Sequence, residues 1–202
     1  NEVLFDLTRQ SPTSFNMQNW RFVVVKDKAK REQIRKAAWG QAQITEASLL
    51  VILCADTKAH AKDPARYWAG APQAAQDALV PNITPFYEAE PQKQRDEAMR
   101  SVGIAAQTLM LAAKAFDYDS CPMIGFDAGE VAQIIKLPED HVIGGIGGHD
   151  AQHVLATPEA ARGQDVMPDA VTLRDVGHDL AVQFDLPGVV DVALPQLQHM
   201  LL

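Results

Sequence analysis

An α+β domain is predicted for this 202-residue chain from two apolar strand runs, "RFVVVKD" and "ASLLVILCAD", and one long alanine-rich helical stretch, "RDEAMRSVGIAAQTLMLAAKAF". The first two concentrate β-branched and aliphatic residues without helical spacing, whereas the third repeats apolar side chains every three or four residues. With 47% hydrophobic and 22% charged residues, the chain suits one sizeable core. We assign residues 1–176 to one domain and 177–202 to a tail with no recognisable chemistry.

Taken in order, "NEVLFDLTRQ" places Val3, Leu4 and Leu7 at helical spacing, and Ser11-Pro12 stops that helix because proline disfavours helical geometry in the residue before it. The strand over residues 21–27 is followed by a helix from about Lys28 to Trp39 with basic and apolar faces. The unbroken apolar run of the second strand, residues 47–56, predicts a central position with both sheet faces covered. From 57 to 91 the prolines at 64, 72, 81 and 85 predict short helices and loops. The long helix then lines Val102, Ala105, Ala106, Leu109, Ala112, Ala113 and Phe116 along one face, with Met110 and Leu111 extending it nearly all round, so it is expected to be buried. "DYDSCPMIGF" reads as loop and short strand. "DAGEVAQIIKL" opens on Asp127 as N-cap with Glu130 three residues on, and Pro138 ends it. "HVIGGIGG" is strand-like, and "DAVTLRDV" is an expected edge strand.

A net charge of -8 and no basic stripe argue against a nucleic-acid surface. No apolar run approaches the roughly 20 residues of a membrane span, and no signal-peptide pattern opens the chain, so the expected setting is cytoplasmic. Cys54 and Cys121 make no redox pair. "HDAQH" could place His149 and His153 on one helix face as metal ligands, but it lacks the zincin glutamate, and surface histidines on a short helix explain it better. "GGIGGHD" lacks the third glycine of a dinucleotide loop. Asp6, Glu46 and Asp56 show no glycosidase-like pairing, and no nucleophile motif occurs. No metal site and no catalytic side chain are expected. Tyr67, Trp68, Phe86 and Tyr87 form an aromatic cluster that either shapes a pocket or simply packs.

The polar stretch "SPTSFNMQNW" has two readings from residue types. Its hydroxyls and carboxamides could serve local backbone bonds in a turn, or could grip a flat heteroaromatic ligand. "SPTSFNMQNWRFVVV" resembles the "APSxxNxQPWxF" signature of the nitroreductase family of FMN-dependent flavoproteins. The strand "ASLLVILCAD", the helix "SVGIAAQTLMLAAKAF" and the loop "DSCPMIGFD" before "LPED" follow in the family's order, so the resemblance covers roughly residues 2–145. It implies a central, mostly antiparallel sheet flanked by helices, an intertwined homodimer, and FMN at the interface. The electron donor would be NAD(P)H and the acceptor a small nitroaromatic, quinone or related molecule. Pro12, Thr13, Ser14 and Asn16 would reach the flavin from one chain. Pro122, Met123, Ile124 and Gly125 would lie against its ring from the other, with backbone N–H groups near Ile124 and Gly125 meeting the N5 and O4 edge. Gly125 would let the main chain approach a planar ring. Gln18 and Trp20 would be structural, Trp20 packing under the loop.

Departures from the pattern define a competing expectation. The family's "RRSxRxF" segment would lie upstream of Asn1, and His149 stands where a phosphate-binding lysine is usual. Asn19 replaces a proline and Asp117 a helix-ending glycine. Arg162 in "ARGQDVMP" resembles a later phosphate-contacting arginine. The alternative to an FMN-dependent oxidoreductase is therefore a non-catalytic or weakly flavin-binding dimer of the same fold.

Overall fold

The computed structural model describes residues 2–150 and 189–191. The central strand is β2, Leu49–Asp56, all eight of whose residues are buried. It pairs antiparallel with β1, Trp20–Val25, on one side and with β4, His141–Asp150, on the other. β3, Asp119–Met123, lies outside β4, and β5, Val189–Asp191, lies outside β1, giving the order β3-β4-β2-β1-β5 with every pairing antiparallel. The segment read as a tail thus contributes an edge strand. The expected strand at "DAVTLRDV" lies outside the described residues.

Side chains alternate across β1 and β2, so the sheet carries two cores. On one face Phe22, Val24, Val51 and Leu53 pack against α1, Glu2–Thr8, and α5, Pro91–Ala115. On the other, Val23, Val25, Leu50 and Ile52 meet α2, Lys28–Ala37, α3, Gln43–Glu46, and α6, Ala128–Ile134. Caps fix the helix starts: the Asp27 carboxylate accepts from Lys30 N–H at 3.0 Å and that of Asp127 from Glu130 N–H at 2.9 Å. The Asp127 N–H goes to the Ala37 carbonyl at 2.8 Å, so the capping box is half made and α6 is tied to the end of α2 instead. Asp117 takes the left-handed conformation expected of a helix-ending glycine, with φ 61.

Three expectations need correction. Residues 73–88 form one helix, α4 (Gln73–Glu88), with Pro81 and Pro85 inside it. Asp77, Pro81 and Pro85 recur every fourth residue on one exposed side, so the carbonyls that lose partners face water. In α1 the buried face is Leu4, Phe5 and Thr8, while Val3 and Leu7 are exposed. Leu111 of α5 and Phe116 just past its end are exposed at 62% and 47%, so among the described residues that helix is covered on one side.

Candidate functional site

Thr8 and Ser11 close α1 by donating their hydroxyls to the Leu4 and Thr8 carbonyls at 2.7 and 2.6 Å. The polar loop that follows is held in an uncommon shape: Phe15, Asn16 and Gln18 all have left-handed backbones, with φ of 52, 51 and 43. Such a conformation costs a non-glycine residue about 1 kcal/mol or more, and the loop's own bonds offset it. Thr13 Oγ1 accepts from Gln18 N–H at 2.8 Å, and Asn16 Oδ1 accepts from Gln18 Nε2 at 3.1 Å. Asn16 Nδ2 donates to the Tyr67 carbonyl at 3.0 Å, and Trp68 Nε1 to the Phe15 carbonyl at 3.0 Å. Trp20, 2% exposed, stacks beside Phe22 at the start of β1, as expected of a structural residue. Thr13 and Asn16 therefore do the work of the local-turn reading. The Asn16 carboxamide nonetheless keeps one N–H and one lone pair free of these two bonds. Ser14 and Asn16 are half-buried and Pro12 is exposed.

Tyr67, Trp68, Phe86 and Tyr87 mostly pack. Tyr87 is buried with Ile83 and Met17, and Phe15 meets Phe86 and Tyr87 with ring centroids 5.4 and 6.1 Å apart. Their role is to brace the polar loop from the segment after β2.

The glycine turn is built differently. β3 delivers a buried Met123, an 87% exposed Ile124 and then Gly125. Phe126 N–H closes the turn onto the Ile124 carbonyl at 3.1 Å, and Gln41 Nε2 donates to the Gly125 carbonyl at 2.6 Å. A Cβ on Gly125 would lie 3.1 Å from Trp39 Cζ3 and 3.2 Å from Gln41 Nε2. A side chain at Gly125 would therefore press on Trp39 and Gln41, a packing reason for glycine that the sequence reading missed together with those two residues. Their signal was "AWGQ", a Trp-Gly step just past a basic helix end. Beside the turn lies an apolar cleft of about 130 Å³, walled by Val102, Gly103 and Ala106 of α5 and by Pro122, Met123 and Ile124.

One chain does not bring the two loops together. The polar loop feeds β1 and the glycine turn ends β3, with β2 and β4 between them. Three strand spacings of ~4.8 Å separate them by about 14 Å sideways. Arg162 and His153 lie outside the described residues. His149 lies in β4, opposite Leu49 and Ser120, and not on a short helix.

A buried ion network underlies the polar loop. Asp56, at the end of β2, is 2% exposed and its Oδ2 meets Arg21 Nη2 at 3.4 Å and Lys62 Nζ at 3.0 Å. Lys62 also reaches Asp140 at 2.5 Å, and Asp140 meets His141 Nδ1 at 2.7 Å. Ligand atoms of Asp56, Asp140 and His141 lie within 4.8 Å of one another, and the Lys62 ammonium bridges the two carboxylates. Burial acts against the Lys62 charge, but its bonds to Asp140 and Asp56 outweigh that and raise its pKa. Burial pulls His141 down, against the opposing pull of Asp140 and Asp56, and burial lowers His60 as well. A histidine whose folded pKa is depressed stabilises the fold above its unfolded value, near pH 6.5, and loses that contribution as pH falls through the folded value. Urea unfolding midpoints are therefore expected to drop as pH is lowered below about 6.5. The drop should be smaller in His141→Asn; equal slopes in the two proteins would remove His141 from the account.

The Nitroreductase family profile matches residues 2–148. The chain belongs to that family. Protein DrgA of Synechocystis is 55% identical over 141 residues, covering 70% of this chain and 67% of DrgA. MhqN of Bacillus subtilis, provisionally named an NAD(P)H nitroreductase, is 32% identical over 67% of this chain and 69% of its own. A crystal structure from Exiguobacterium sibiricum, provisionally named a nitroreductase and solved in complex with FMN, shares the fold. Its TM-score is 0.68 at 24% identity, over 83% of this chain and 81% of that one. The matched span contains the polar loop, the glycine turn, β1, β2, β3 and β4 up to residue 148. Among the described residues no helix is long and apolar enough to cross a membrane.

Proposed function

We propose that this chain is an FMN-dependent oxidoreductase that takes electrons from NAD(P)H and passes them to small acceptors such as nitroaromatics, quinones or enones, working as a cytoplasmic homodimer. Family membership supports the oxidoreductase class, MhqN's name the donor, and the Exiguobacterium structure the cofactor. The observation that carries the reading is the division of the site: a polar loop on one side of the sheet and a glycine turn with an apolar cleft on the other, each half of what a planar polar cofactor needs. A second copy completes it. Exposed Val3 and Leu7 on α1, Ile104 and Leu111 on α5 and Phe116 just past it supply apolar surface for that partner.

Bound FMN would supply the two-electron chemistry, alternating between donor and acceptor. The chain's residues orient and exclude water. Thr13, Ser14 and the free donor and acceptor of Asn16 hold the ring edge from one copy. From the other, the Ile124 and Gly125 N–H groups, which the turn itself leaves out of its closing bond, would offer partial positive charge to the ring. Pro122 and Met123 would pack against it, and the resemblance assigns Arg162, outside the described residues, to the phosphate. The competing reading, a non-catalytic dimer with weak flavin affinity, draws on the internal bonds of Thr13 and Asn16.

Visible absorbance and NAD(P)H oxidation of the purified protein separate the two. A yellow dimer that oxidises NAD(P)H only when an acceptor is present is expected; a protein that stays colourless after soaking in FMN overturns the enzyme reading. Asn16→Ala is expected to weaken FMN about tenfold, the loss of roughly one hydrogen bond plus loop slackening, measured by flavin released on dialysis. Unchanged retention would remove Asn16 from the site.

A further inference from the structure

We infer that Trp39 is a specificity-determining residue of the acceptor site, its indole stacking against planar aromatic acceptors; the inference rests on the flavin-enzyme reading above. Trp39 is 75% exposed, a large apolar area to leave in water. It also sits with φ 54, a left-handed conformation that bulky residues rarely adopt, followed by Gly40 at φ 79. Two left-handed residues in series reverse the chain at the end of α2, and this reversal is fastened. Gly40 N–H donates to the Arg35 carbonyl at 2.9 Å, and Arg35 returns Nε to the Gly40 carbonyl at 3.1 Å and Nη1 to Thr45 Oγ1 at 3.0 Å. Core packing does not hold the indole; the close neighbour it has is the glycine turn.

The fastening places the indole against the glycine turn. The contact uses one ring edge, Cζ3 and Cε3, beside Gly125. Gln41, two residues on, donates to the Gly125 carbonyl and ties the backbone after Trp39 to the turn. Ile124, next to Gly125 in the turn, is 87% exposed. The flavin edge proposed at Ile124 and Gly125 is therefore flanked by an exposed, electron-rich aromatic surface. Electron-poor planar rings, nitroaromatics and quinones above all, stack best on such a surface, whereas a compact inorganic oxidant gains nothing from it.

The test uses FMN-loaded wild-type protein, Trp39→Ala and Trp39→Phe. Steady-state reduction is measured with nitrobenzoate and with ferricyanide at saturating NAD(P)H. Binding of nitrobenzoate to the oxidised protein without donor is followed by perturbation of the flavin spectrum. Trp39→Ala is expected to raise the nitrobenzoate KM and Kd about fivefold, a stacking-sized effect, with kcat and the ferricyanide kinetics unchanged, and Trp39→Phe to restore most of the loss. Unchanged nitrobenzoate binding, or an equal loss with ferricyanide, overturns the inference while leaving the enzyme reading intact. So does a shift of Trp39→Ala to monomer on gel filtration, which would make Trp39 an interface residue. Wild-type protein that takes up no FMN overturns both.

Discussion

Asp56→Ala is expected to cost about 3–5 kcal/mol of folding stability, because it leaves a nearly buried guanidinium without its counter-charge. Arg21 has a side-chain exposure of 12%, and its other Nη bonds, to the Gln18 and Trp20 carbonyls at 2.7 and 2.9 Å, are to neutral groups. The mutation also frees Lys58 N–H, which donates to Asp56 Oδ1 at 2.9 Å. At the 2–4 °C per kcal/mol typical of a domain this size, the melting temperature should fall by about 10 °C. Asp56→Asn keeps an acceptor for Lys58 and should lie between the two. Lys62→Met should cost under about 1 kcal/mol, since the ammonium is 41% exposed and solvent screens its pairs. Because Arg21 holds the Gln18 carbonyl, Asp56→Ala should also loosen the polar loop. Urea unfolding of the three variants decides the ordering; an Asp56→Ala cost no larger than that of Lys62→Met would mean that Arg21 is adequately solvated where it lies.

The sequence carried its clearest information where one physical rule dominates. An unbroken apolar run can be satisfied only by cover on both faces, and β2 sits central with helices on each side. The Asp127 cap and the left-handed Asp117 follow from short-range backbone chemistry. The polar loop and the glycine turn were found through family resemblance, since residue types alone left the loop open between a turn and a ligand site. What stayed illegible depends on neighbours distant in sequence. Pro81 and Pro85 look like helix breakers until Asp77, Pro81 and Pro85 are seen to share one wet side of α4. The Asp56 network joins the ends of β2 and β1, the segment after β2 and the start of β4, residues with no common spacing. Trp39 closes a predicted helix, where an apolar residue reads as core; only the left-handed turn at Trp39 and Gly40 sends it out to Gly125.

Gly144→Ala should be the most damaging of the glycine substitutions in β4. Opposite the register shift in β2, Leu53 pairs with Gly145 and Cys54 with Ile143, leaving Gly144 as the unpaired residue of a bulge. A Cβ there would lie 2.4 Å from Val102 Cγ1 and 3.1 Å from Val102 Cβ. Val102 cannot swing clear. It is 3% exposed, embedded in the α5 face of the core, and β-branched in a helix, which leaves it one favoured rotamer. The helix must therefore move off the sheet, an overpacking cost of about 1–3 kcal/mol. Since Val102 and Gly144 both wall the apolar cleft, the same movement reshapes the space beside Ile124. Gly145→Ala is the control: its nearest atom would be the Met123 carbonyl oxygen at 3.6 Å, an ordinary contact. Adding Val102→Ala to Gly144→Ala should return part of the loss, because the new methyl fills space the valine vacates, giving a coupling energy of about 1 kcal/mol or more in urea unfolding. Additive costs in that cycle would show that the helix and the bulge are not in the close contact on which the cleft depends.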